Sequence, residues 1–158
     1  MIRHANADDL DTIAALHLAA RATYYRGHVP EEEYAGPEEP ARTRAAWSGA
    51  VGRGQVLCAE RDGEVAGVAA YRPVDGVMTL TQLHVRPDRW RRGVGAELHA
   101  ACLEAWRAEG VTTARLQVFD RNERAKAFYA AHGWTPDAGA PRSGTHLVLR
   151  LTVEAATE

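Results

Sequence analysis

The chain has 158 residues, 46% of them hydrophobic, and a formal net charge of −2 at pH 7. That length can bury a sizeable core and no Pro/Ser-rich linker divides it, so a single domain over residues 1–158 is expected. Mild acidity argues against a nucleic-acid partner, which would call for a basic excess; no apolar run nears the roughly 20 residues of a membrane span or follows the start as a leader, which points to a cytoplasmic protein with no membrane partner.

Ile2 begins a short predicted strand, and Asn6 with Asp9 three residues later has the form of a helix N-cap with an acidic third residue. Leu10, Ile13, Ala14, Leu16, His17 and Ala20 then fall on one helical stripe, which dissolves between Tyr24 and Pro30. Glu31 to Pro40 is acidic and interrupted by Pro37 and Pro40, and a second short helix is expected over 41–51, around Trp47. Gln55–Glu60 and Val65–Tyr71 read as strands joined through Asp62-Gly63, a strong hairpin signal. A further turn at Pro73–Gly76 leads into Val77–Val85, so these three strands are expected to form an antiparallel meander.

Arg86-Pro87-Asp88-Arg89-Trp90-Arg91-Arg92-Gly93-Val94-Gly95 sets four arginines and two glycines between that strand and a helix carrying Val94, Leu98, Ala101, Leu103, Ala105 and Trp106. A helix start presents free N–H groups and the positive end of its dipole, glycine lets the main chain approach an anion closely, and arginine supplies permanent forked charge. The segment reads as a phosphate cradle, with a surface turn of ordinary chemistry as the plainer alternative. It is neither a dinucleotide fingerprint, since Leu98 stands where a small residue is needed, nor a Walker loop, which would end in Gly-Lys-Ser/Thr.

Gly110 marks the end of that helix, Ala114–Phe119 is the next strand, and Asn122 caps a helix with Ala125, Phe128, Tyr129 and His132 that stops at Gly133. A Pro/Gly-rich turn leads to a terminal strand over His146–Leu151. Cys58 and Cys102 lie in different predicted elements without metal-ligand spacing, so buried free thiols are expected and nothing calls for a metal. The succession of strands, then strand, helix, strand, helix, strand, gives an α/β, or mixed-sheet α+β, fold.

Two motifs together resemble the GNAT superfamily of acyl-CoA-dependent N-acetyltransferases. Gln82-Leu83-His84-Val85-Arg86-Pro87 followed by Trp90-Arg91-Arg92-Gly93-Val94-Gly95-Ala96 is similar to its motif A, with Trp90 where Gln or Arg is usual. Asn122-Glu123-Arg124-Ala125 with Phe128-Tyr129 and Gly133-Trp134 is similar to its second signature. The order of elements agrees over nearly the whole chain.

The resemblance implies a central, mostly antiparallel sheet with helices on both faces and a splayed strand pair holding the co-substrate acetyl-CoA. Its pyrophosphate would lie on the amides of Arg91, Arg92, Gly93, Val94, Gly95 and Ala96, its pantetheine along the main chain at Leu83 and Val85, and Asn122 would also bind it. The Val85 N–H would stabilise the oxyanion formed when an acceptor amine attacks the thioester, and Tyr129 would act as general acid toward the leaving thiolate. Core aromatic packing is the other reading of Tyr129, and N-capping alone accounts for Asn122.

The base is not fixed by these motifs. His84, whose ordinary pKa is near neutrality, is one candidate and equally a packing residue; a water relay to Glu31, Glu32 or Glu33 is another. The acceptor is expected to meet Tyr24, Tyr25, His28 and Tyr34, a segment that reads equally as a solvated acidic loop with packed tyrosines. The resemblance leaves open a small-molecule or peptide amine, a macromolecular amine (protein N-terminus, lysine or aminoacyl-tRNA), a non-catalytic acyl-CoA-binding module, and a homodimer.

Overall fold

The computed structural model describes residues 1–154. Its strands are β1 (Ile2–His4), β2 (Val56–Arg61), β3 (Glu64–Val74), β4 (Val77–Val85), β5 (Thr113–Phe119), β6 (Thr135–Pro136), β7 (Arg142–Ser143) and β8 (His146–Thr152). Its helices are α1 (Leu10–Tyr25), α2 (Glu31–Tyr34), α3 (Glu39–Gly52), α4 (Val94–Ala108) and α5 (Glu123–Ala131). Strand order is β1-β2-β3-β4-β5-β8-β6, with β7 on β8. β4 runs parallel to β5, while β2 is antiparallel to β1 and β3, and β8 is antiparallel to β5, β6 and β7.

Two compact units make up the described residues: Met1–Ala70 with Gln82–Ala101, and Tyr71–Thr81 with the described residues from Cys102 onward. In the first, Leu10, Ile13 and Leu16 of α1 pack with Trp47, Val56, Cys58, Val65 and Val68 as one core cluster. The capping box is present: the Asp8 N–H donates to Asn6 Oδ1, and the Asn6 N–H donates to Asp9 Oδ2. The β2–β3 hairpin turns through Asp62 and Gly63 at φ 55° and 77°, the pair of positive φ values that a two-residue hairpin of this hand requires. Gly67 of β3 permits close packing, because a Cβ there would meet Val94 Cγ1 at 2.8 Å and Leu98 Cδ1 at 2.9 Å.

In the second unit, β4 pairs with β5 at Met78–Leu80 against Ala114–Leu116. Trp106 stands edge-on to Tyr71 and Trp134, with ring centroids 5.9 and 6.5 Å away. The buried residues Val94, Leu98, Cys102 and Trp106 recur every fourth position along α4, with Leu103 and Ala105 half-buried beside that stripe. Both cysteines are free and buried, and burial pushes their thiols up, Cys58 to about 11 and Cys102 to about 12.

Besides β3, which runs on to Val74 and confines the expected Pro73–Gly76 turn to Asp75 and Gly76, the structure differs from the sequence expectation in three places. α3 starts at Glu39, two residues earlier than expected, with Pro40 in its first turn, where a missing N–H costs nothing. The acidic segment forms the short helix α2, whose C-terminal Tyr34 is buried. The Pro/Gly-rich turn contains the two-residue strands β6 and β7, both antiparallel to β8. No helix among the described residues is long and apolar enough to cross a membrane.

Candidate functional site

The arginine and glycine segment, residues 86–95, lies wholly in the first unit. After β4 the chain makes a short helical turn over Pro87–Arg89, and α4 begins at Val94. Between them Arg91 takes φ 64° and Gly93 φ 79°. Gly93 adopts that conformation freely, whereas a non-glycine residue there costs about 1–2 kcal/mol. Strain of this kind gathers where the main chain is shaped for a ligand. The first bond of the α4 ladder runs from the Glu97 N–H to the Gly93 carbonyl at 3.0 Å, so the N–H groups of Val94, Gly95 and Ala96 precede the ladder and mark the positive end of the helix.

The four arginines divide into two pairs. Arg86 donates to Glu64 Oε2 and Asp88 Oδ2 at 3.0 and 2.9 Å, and Arg89 to Asp62 Oδ2 and Glu64 Oε2 at 3.0 and 3.4 Å. Arg91 and Arg92 are exposed and have no ion pair among the described residues. Internal carboxylates thus engage Arg86 and Arg89, which leaves Arg91 and Arg92 as the exposed guanidiniums of the segment.

β4 leads into this loop with Leu83 and Val85 half-buried and His84 on the face covered by α1. The His84 ring stacks on His17 with centroids 4.2 Å apart, and its Nε2 lies 2.6 Å from Gln82 Oε1. The Trp47 Nε1–H donates to His17 Nδ1 at 3.0 Å. An indole N–H can only donate, so His17 carries its proton on Nε2 and is neutral. Burial foremost, then the Arg21 charge, lowers His17 to about 4; burial, then His17 and Arg21, holds His84 well below its ordinary value. His84 therefore does not titrate near neutrality, and it is uncharged there.

The tyrosine segment is packed rather than freely solvated. Tyr24 and Tyr25 are edge-on at 4.7 Å, Tyr25 and Tyr34 are 5.7 Å apart, and Arg21 Nη2 donates to the Tyr34 carbonyl and to Glu39 Oε2 at 2.9 and 3.0 Å. Burial pushes the phenols of Tyr24 and Tyr25 up from their ordinary value. Glu31, Glu32, Glu33 and His28 are exposed.

In the second unit the Asn122 side chain accepts from the Ala125 N–H at 3.2 Å and caps α5. Tyr129 is buried, edge-on to Phe128 at 5.4 Å and near Trp134 at 6.0 Å. Val85, His84 and residues 91–96 thus lie in the first unit, and Asn122 and Tyr129 in the second.

Residues 15–134 match the acetyltransferase (GNAT) family. The chain belongs to this family. A mycothiol acetyltransferase of Acidimicrobium ferrooxidans is 33% identical over 116 residues, which are 70% of this chain and 35% of that protein. The chain thus spans about a third of that curated relative's length. The PaiA N-acetyltransferase of Thermoplasma acidophilum, solved in complex with coenzyme A, superposes with a TM-score of 0.86 at 18% identity over 96% of this chain and 98% of that one. The ribosomal-protein-S18-alanine N-acetyltransferase of Escherichia coli does so with a TM-score of 0.69 at 22% identity, over 100% of this chain and 96% of that one. These likenesses show that the fold is that of the GNAT family.

Against the family motif, Trp90 has a local explanation: its indole N–H donates to the Val85 carbonyl at 3.1 Å and ties the loop to the end of β4. Two features escaped sequence reasoning. His17 sits on the core stripe of α1, and only its contact with a strand 67 positions later reveals the histidine pair. An open groove of about 620 Å³ is lined by one side of α1, including Leu16 and Ala19, and by Arg86, Pro87 and Asp88; its walls are far apart in sequence and share no motif.

Proposed function

We propose that the chain, acting as one N-acetyltransferase domain, transfers an acetyl group from acetyl-CoA to a primary amine of a small molecule or peptide. The observation that carries this reading is the cradle: a helix start preceded by Arg91 and Gly93 at positive φ, with Arg91 and Arg92 exposed. It suits the CoA pyrophosphate, with the amides of residues 91–96 as donors and the two guanidiniums as counter-charges. Bound acetyl-CoA supplies the activated acetyl thioester.

In this reading the main chain at Leu83 and Val85 holds the pantetheine, and the Val85 N–H stabilises negative charge on the thioester oxygen. The Val85 carbonyl is already engaged by Trp90, which fixes the peptide that carries the end of β4. Tyr129 donates a proton toward the leaving sulfur. His84 is the proposed acceptor of the amine's proton: if the Gln82 oxygen takes the proton on Nε2, Nδ1 keeps its lone pair, although burial makes this imidazole a weaker base than a free one. Asn122 adds a cofactor contact to its capping role. The acceptor meets Tyr24, Tyr25, His28 and Tyr34, where the exposed Glu31, Glu32 and Glu33 favour a cationic amine.

Release of free thiol from acetyl-CoA, with product mass, measured across polyamines, amino acids, aminoglycosides and peptides tests this. A member of the panel should raise thiol release above background hydrolysis and gain an acetyl group; no stimulation by any of them contradicts the reading. Tyr129→Phe should lower kcat about 100-fold, the low end for loss of a general acid, with little change in acetyl-CoA affinity. An unchanged kcat removes Tyr129 from the acid role. A macromolecular amine is the second reading, favoured by the likeness to the ribosomal-protein-S18-alanine N-acetyltransferase; it predicts turnover with folded protein acceptors and none with small amines.

A further inference from the structure

The loop that carries the cradle is tied down by a hairpin that carries no family motif. Asp62, at the positive-φ corner of the β2–β3 turn, accepts from Arg89, and Glu64, the first residue of β3, accepts from both Arg86 and Arg89. Asp88 closes the network on Arg86. The Arg86 N–H also donates to the Ala66 carbonyl of β3 at 2.8 Å, so main chain and side chains fasten the same segment. The Arg89 side chain is only 16% exposed although both of its carboxylate partners lie open to solvent, at 83% and 59%. It is folded onto the hairpin and unavailable to a ligand.

This arrangement is unfavourable as mere anion chemistry. Two carboxylates beside a phosphate site repel the ligand and occupy arginines that could otherwise bind it. It is favourable as positioning. Arg91 stands two residues from Arg89 in a conformation that costs a non-glycine residue about 1–2 kcal/mol, and an anchor on the preceding turn lowers the ordering cost of binding.

We propose that Asp62 and Glu64 are positioning residues for the phosphate loop: through Arg89 and Arg86 they hold residues 91–96 ready for the CoA pyrophosphate, without touching the cofactor. This rests on the acetyl-CoA reading above. The two roles predict opposite signs. Isosteric neutralisation of carboxylates that only repel or compete tightens CoA binding; neutralisation of an anchor weakens it.

The experiment compares wild type with the double variant Asp62→Asn, Glu64→Gln. Asparagine tolerates the positive φ of position 62, so the hairpin is retained, and thermal melts verify folding. CoA affinity is measured by calorimetry, and kinetics are run with acetyl-CoA and with S-acetylpantetheine, a donor that lacks the phosphates. We expect the neutralised variant to bind CoA about fivefold more weakly, the order of magnitude of the three exposed ion pairs it loses. The KM for acetyl-CoA should rise by the same factor with kcat within twofold, and kinetics with S-acetylpantetheine should stay unchanged. Unchanged or tighter CoA binding in the neutralised variant, or an equal loss with S-acetylpantetheine, overturns the positioning role alone. No CoA binding by the wild type overturns the acetyl-CoA reading and this proposal with it.

Discussion

Acid should loosen this fold through the buried histidine pair, and His17→Gln should remove much of that sensitivity. His17 is held at about 4, against about 6.5 in an unfolded chain. The folded state therefore binds fewer protons than the unfolded one, so the stability associated with this group is full above pH 6.5 and declines as pH falls toward 4. Between pH 7 and pH 5 the loss from this one imidazole is about 2 kcal/mol, or about 4–8 °C in Tm for a chain of this size. His84, lowered in the same direction and stacked 4.2 Å away, adds to it. The depressed carboxyls of Asp9, Asp120 and Asp137 titrate below the ordinary carboxylate range and lie outside this window. Glutamine keeps an acceptor oxygen for the Trp47 indole, so the change removes the titration without orphaning that N–H. Urea unfolding of both proteins at pH 7 and pH 5 measures the effect: the wild type should lose about 2 kcal/mol more than the variant, and equal losses would refute the burial and neutrality of the pair.

Other substitutions examine the supports of the site. Gly67→Ala should destabilise by about 1–3 kcal/mol in chemical unfolding, because its methyl would press on Val94 and Leu98; a neutral result would mean that α4 can move away at little cost. Asn122→Ala should lose about 1 kcal/mol of stability and Asn122→Ser should restore most of it, as a capping role requires. Arg91→Ala with Arg92→Ala should weaken CoA binding about tenfold and flatten its salt dependence, read by titration at two ionic strengths, since charge-assisted contacts to a phosphate are worth more than exposed pairs.

Local chemistry explains what could be read from the sequence. The Asp62-Gly63 hairpin, the Asn6 capping box and the Asn122 cap are written within four residues each and were legible for that reason. The strand-to-helix passage from β4 into α4 was equally local. What escaped depends on contacts distant along the chain: the carboxylates that hold Arg86 and Arg89 lie 22 to 27 positions upstream, and His17 meets His84 across 67. A count of arginines therefore overstated the charge free to bind an anion. His84 also looked like an ordinary titrating histidine until its burial under α1 was visible. Pro40 misled in another way, because a proline that breaks a helix interior is favoured in its first turn.

The most direct measurement is an amide chemical-shift titration of the isotopically labelled protein with CoA, followed by inorganic pyrophosphate as a competitor. The account predicts saturable shifts centred on the N–H groups of residues 91–96, reproduced in part by pyrophosphate alone. Saturable shifts centred elsewhere, with these amides unmoved, or no shifts at all, would contradict it.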